Sequence, residues 1–221
     1  MIRRSLIQTK GVAVNLTLLG AILLHNLTYP LSVAGGLWPA VFYCFYAVIY
    51  VAATWALTGS DGLRCFAAVS GLSVLIAGLM NSYLPTSWTA LAVFVTSVIY
   101  HLIMIVVLAG YTFRARTVLA DVVLSATSLY LVIGSGFAAV FAMIEWIAPG
   151  SFIASSGAPL HWQHMMYYSY VTLTTLGYGD ITPIGFYAQA VASFEAVTGV
   201  LYTVILLSRL VGMYGSVHRQ E

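Results

Sequence analysis

Charge is what this chain lacks. Asp, Glu, Lys and Arg together make up 6% of its 221 residues, against 61% hydrophobic ones, whereas a soluble domain is roughly 25% charged. So few charges cannot cover a water-facing surface, and most of the surface is expected to face lipid. The net charge of +2 is small and scattered, which argues against a nucleic-acid partner with its dense row of phosphates. Cysteine is scarce as well. Cys44 and Cys65 sit in or beside apolar stretches and read as small buried residues rather than as a disulfide or a metal site. No zinc motif, nucleophile elbow or carboxylate pair occurs, so neither an enzyme nor a cofactor is expected.

What the chain has is long apolar runs. A membrane span needs about 20 mostly apolar residues, and such runs lie at 11–27, 37–57, 63–84, 88–111, 119–147 and 185–213. Backbone polar groups cannot stay unpaired in lipid, so each run is expected to be helical. The fold class expected is an all-α membrane protein with six transmembrane helices. The first run is the shortest and carries Asn15, His25 and Asn26. With Arg3 and Arg4 ahead of it and Ser32-Val33-Ala34 behind, it imitates a signal peptide. Its removal would leave five spans and upset the order of charges.

The cations set the orientation. Arg3, Arg4, Lys10, Arg64, Arg114, Arg116, Arg209 and Arg219 all fall on one side when the N-terminus is inside. The loops 28–36, 81–87 and 148–160, on the other side, hold no Lys or Arg. That pattern follows the positive-inside rule and implies a multi-pass cell-membrane protein with both termini in the cytoplasm. Residues 1–116 read as a module of four closely spaced helices. Residues 117–221 read as a second module: a helix, an outer loop, a short polar-aromatic segment and a last helix. The basic link Arg114-Ala115-Arg116 joins them. No internal repeat is visible, and no soluble regulatory domain is expected after the last span.

Between the last two spans, residues 161–180 are too short and too polar to cross a membrane. They are expected to enter it and return on the same side, which is tolerated only where protein or water surrounds the backbone. The segment ends in Thr174-Thr175-Leu176-Gly177-Tyr178-Gly179-Asp180. A dehydrated cation can be held by rings of backbone carbonyl oxygens. Successive carbonyls face one axis only if the backbone alternates in hand, and Gly177 and Gly179 permit the positive φ this requires. The Thr175 hydroxyl can add a further oxygen. The side chains of Leu176 and Tyr178 are expected to point away, into surrounding protein. A helix ending at about Thr174 would aim the negative end of its dipole at the ion path.

This segment resembles the pore region of tetrameric potassium channels, with Leu176 where the common filter has Val. The resemblance covers about 117–221. It implies a pore helix and a selectivity filter in which Thr175, Leu176, Gly177, Tyr178 and Gly179 bind K⁺ as the permeant ion. One filter loop per chain implies a homotetramer, so the partners expected are three further copies and membrane lipids. Pro183 and Gly199 stand where many family members have a proline and a hinge glycine, and 194–212 is similar to the inner helices of prokaryotic channels. Val200, Thr203 and Leu207 share a helix face that begins one residue past Gly199 and are expected to line the inner cavity. Two departures stand out. Tyr167 and Tyr168 replace a common tryptophan pair, and Val171 stands where some bacterial channels place a glutamate. Tyr167 is expected to donate a hydrogen bond to Asp180, and Tyr168 to pack against Tyr178. The competing readings are a K⁺ transporter of the kind with four filter-like loops in one chain, a membrane enzyme and a non-conducting accessory subunit.

The first four spans match a voltage sensor in number, but 88–111 contains no Lys or Arg, and a sensor needs several charges in the field. Arg114 and Arg116 read as topology anchors, and weak or absent voltage gating is expected. His101 reads as an interhelical hydrogen-bonding residue. Glu195, about ten residues or roughly 15 Å into the last helix, reads as an acceptor buried against the pore helix, or else as a group that draws cations toward the cavity. Glu145 is expected to tie down the outer loop. His161 and His164 face the outer mouth without the spacing of a metal site. Trp38, Trp88 and Trp146 read as interfacial anchors.

Overall fold

The apolar runs fold as helices because nothing in their interiors stops them. All six prolines lie in loops, in a short turn or strand, or in the first turn of a helix, where the missing N–H costs nothing. The structure is a computed structural model and describes residues 2–33, 36–115 and 120–217. Its helices are α1 (Ile2–Thr28), α2 (Trp38–Leu57), α3 (Asp61–Tyr83), α4 (Ser87–Arg114), α5 (Ala120–Ile147), α6 (Trp162–Leu173) and α7 (Phe186–Val217), with a 3-10 turn at Tyr29–Val33. Five of them, α1, α3, α4, α5 and α7, contain stretches long and apolar enough to cross a membrane. In α2 the apolar stretch found, Trp38–Ile49, is shorter. Arg116 and Arg219 lie outside the described residues, as does Ala34.

Side chains fasten the heads of α3 and α4. Thr86 and Thr89 exchange bonds at the head of α4: Thr89 N–H donates to Thr86 Oγ1 at 3.1 Å, and Thr86 N–H to Thr89 Oγ1 at 2.8 Å. At the head of α3, Arg64 bridges Asp61 Oδ1 at 3.0 Å and donates from Nε to the Thr58 carbonyl at 2.9 Å. The expectation of a purely helical chain needs one correction. Strands β1 (Phe152–Ala154) and β2 (Ile181–Pro183) pair antiparallel, with Ile153 opposite Thr182. Three residues are too few for a two-residue alternation to register in sequence.

The chain divides into two compact units, Met1–Val132 and Ile133–Glu221. The division falls inside α5 rather than at the basic link. The start of α5 is tied back to α4, where Tyr111 Oη donates to Asp121 Oδ2 at 2.6 Å and Thr112 Oγ1 to Ser125 Oγ at 3.0 Å.

In the first unit Leu18 and Ile22 of α1 are fully buried, as are Tyr100, Met104 and Leu108 of α4. Gly78 of α3 lies so close to the Tyr43 ring that an added Cβ would stand 2.4 Å from it. His25 packs on Phe42 and Tyr46, with ring centroids 4.9 and 4.5 Å away. Two expectations change here. His101 bonds within its own helix, through Nδ1 to the Ser97 carbonyl at 2.7 Å; its contact with α2 is the Tyr46 ring at 6.5 Å. Cys44 and Cys65 are exposed, not buried. Around a bundle in lipid an apolar side chain gains little by turning inward, so composition does not say which way a small thiol faces.

Candidate functional site

The second unit holds the motif. Helix α6 has 12 residues. It begins where His161 N–H donates to His164 Nδ1 at 2.9 Å, with the two rings stacked 5.8 Å apart. It stops at Leu173, because the backbone turns at Thr174 and Thr175 takes a φ of 58°. The carbonyls that the last turn leaves free are claimed by the chain folding back. Thr175 N–H donates to the Thr172 carbonyl at 2.9 Å, and the N–H groups of Leu176 and Gly177 donate to the Val171 carbonyl at 2.9 and 3.2 Å.

From there φ alternates. It is positive at Thr175, Gly177 (57°) and Gly179 (76°), and not at Leu176 or Tyr178 between them. Each change of hand turns the peptide over, so successive carbonyls share a direction. The two glycines are the ones the sequence marks for this conformation. Thr175 is not, since a β-branched residue with positive φ is a strained rarity that no residue-type rule announces. A Cβ on Gly177 or Gly179 would meet nothing within 4 Å. Within one chain the positive φ alone calls for glycine there. The loop is bare: Leu176 is 56% exposed and Tyr178 65%. Their side chains therefore do not enter protein belonging to the same chain.

The loop then returns along α6. Asp180 comes beside Tyr167, whose hydroxyl donates to Asp180 Oδ2 at 2.7 Å, while Ile181 N–H donates to Asp180 Oδ1 at 3.1 Å. That bond to a carboxylate favours the protonated phenol and pushes the Tyr167 pKa up to about 12. Within one chain Tyr168 does not meet Tyr178. Its ring packs edge-on against Phe141 at 5.1 Å and Phe152 at 5.2 Å. Adjacent helix positions point about 100° apart, so Tyr167 and Tyr168 cannot both face the returning loop.

The approaches to the loop are fastened. Glu145 ties down the outer segment by accepting from Gly150 N–H at 2.8 Å and Phe152 N–H at 3.0 Å. The Ser151 carbonyl takes the N–H groups of Ile184 and Gly185 at 2.8 and 3.1 Å. On α7, Gly199 is buried against the end of α6, where an added Cβ would stand 2.1 Å from the Leu173 carbonyl oxygen. This glycine therefore serves close packing within an uninterrupted helix. Val200, Thr203 and Leu207 are exposed on the single chain, and Thr203 Oγ1 is occupied by the Gly199 carbonyl at 3.0 Å.

Glu195 is fully buried. Its Oε1 lies 2.5 Å from Ser169 Oγ on α6, and Ser169 Oγ lies 2.7 Å from the Gly134 carbonyl oxygen on α5. Sequence reasoning singled out the glutamate but neither Ser169 nor Gly134. The one available signal was glycine: a Cβ at Gly134 would stand 2.6 Å from the Tyr170 ring. Among the described residues no group of three or more His, Cys, Asp and Glu is arranged to hold a metal ion.

A family model described as an ion channel matches residues 129–215. That match supports an ion channel. It runs from within α5 through β1, α6, the loop and β2 into the last turn of α7, which is the module that carries the alternating backbone. Neither a curated protein nor a solved structure matches the chain. With five helices among the described residues long and apolar enough to cross a membrane, the chain reads as a membrane protein whose ion-channel segment lies in its second half.

Proposed function

We propose that the chain is one subunit of a passive K⁺-selective channel, in which four copies surround an axis lined by the backbone of residues 175–179. The observation that carries this reading is the φ alternation at Thr175, Gly177 and Gly179. It lets successive carbonyls replace the water around a K⁺ ion. The bareness of Leu176 and Tyr178 supports an assembly, because neighbouring copies would provide the cover that one chain lacks. In this reading α2 completes six spans, α6 and the loop are re-entrant, both termini are cytoplasmic and no cofactor is needed. Voltage gating is weak, because Arg114 stands in the last turn of α4 and no other Lys or Arg is in that helix.

Flux through the purified protein in liposomes tests the proposal. K⁺ should pass and Na⁺ should be excluded, and Gly177→Ala should abolish current or selectivity, because alanine resists positive φ. Equal passage of both ions, or unchanged selectivity in Gly177→Ala, counts against the filter. An intact tetramer that passes neither ion points to a non-conducting subunit.

A further inference from the structure

Ser169 has one hydroxyl hydrogen and two close oxygen neighbours. The separations of 2.5 Å to Glu195 Oε1 and 2.7 Å to the Gly134 carbonyl both lie in the range of full O–H···O bonds, so each gap needs its own hydrogen. The Gly134 carbonyl brings none, and the hydrogen in that gap is therefore the serine's. The hydrogen in the other gap must come from the glutamate. We infer that Glu195 is a neutral carboxylic acid heading a relay: its O–H donates to Ser169 Oγ, and Ser169 O–H donates to the Gly134 carbonyl, joining α7 to α5 through α6.

The surroundings agree. Glu195 is 0% exposed within a single chain, so no assembly of chains changes what it touches. Its Oε2 meets no hydrogen-bond donor. An ionised carboxylate held by one hydroxyl is the arrangement that burial disfavours most. The titratable groups nearby are phenols on α6: Tyr168, which interacts with Glu195, and Tyr170, which lies against Gly134 and bonds Ser135 at 3.0 Å. Neither is a cation that would stabilise a negative charge, and the α5 group that Ser169 meets is the Gly134 carbonyl oxygen. The expected acceptor is thus a donor.

Within the channel proposed above, on which this last point rests, the relay is a positioning device. It grips α6 between one and two turns before the filter and fixes the angle at which that helix delivers Thr175. Infrared difference spectra of the full-length protein in liposomes at neutral pH test the protonation without reference to conduction. Wild type minus Glu195→Gln should show the carbonyl stretch of a protonated acid. Ser169→Ala should move that band to higher frequency, since the acid loses its acceptor. Loss of a carboxylate stretch instead, or a band indifferent to Ser169→Ala, overturns the inference. In flux assays Glu195→Gln, whose amide N–H can head the same relay, should keep selective K⁺ passage, whereas Glu195→Leu should lower it. Failure of Gln where Leu succeeds would show that the donor is not what positions α6. Wild-type protein that passes no K⁺ would end the channel reading and leave the infrared result to decide Glu195.

Discussion

At the scale of single residues, the bond between Tyr167 and Asp180 separates what a side chain does from what fills its space. Tyr167→Phe keeps the ring and removes the donor. Assembly should survive, while K⁺ current should inactivate faster or open less often; bilayer recording beside a size measurement checks both. The raised phenol pKa gives the bond a pH window. Protonated phenol is the donor, so the contribution is complete below the ordinary tyrosine value of 10.0 and is lost as pH climbs to about 12. In ultraviolet titration carried to about pH 12 the wild type should form one more phenolate per chain than Tyr167→Phe does. Residue types made Gly177, Gly179 and Glu145 legible in advance, because each has a backbone or acceptor duty that few residues can fill. Tyr168 was not legible, since its direction depends on a rotation that adjacency in sequence hides. Nor was Thr175, whose positive φ is imposed by its neighbours.

Among the elements, apolar run length revealed the helices, and short pairings escaped it. The strands β1 and β2 have no pattern of their own; the Ser151 carbonyl holds the outer segment, which Glu145 ties to the end of α5, against the stretch after Asp180. The packing of α7 on α6 likewise had to be seen. Glycine at position 199 suggested bending, but the 2.1 Å approach to the Leu173 carbonyl makes it a contact point. Gly199→Ala would press a methyl group into backbone that cannot swing aside. It should cost about 1–3 kcal/mol, the usual range for overpacking. Thermal unfolding would show this, with Gly212→Ala as the control because nothing lies within 4 Å of that position. Equal melting temperatures in the two variants would refute the contact role.

For the whole molecule, the sparse charges carry the prediction. With Arg114 the only Lys or Arg of α4 and placed in its last turn, the conductance–voltage relation should be shallow, equivalent to far fewer than the roughly three to four charges per subunit of a voltage sensor. A steep curve that flattens on neutralising Arg114 would refute this. The boundary between the two units could not be read from the basic link, because α5 belongs to both and its first turns are bound to α4. The clasp between β1 and β2 has a mechanical consequence. It fastens the stretch before α6 to the stretch after Asp180, so residues 155–180 form a closed buckle whose two straps are sewn together at the base. A pull on α7 through Phe186 reaches that seam before it reaches Gly179. Opening the seam between β1 and β2 should let tension travel into the buckle, making its shape answer to movements of α7 that the intact chain absorbs.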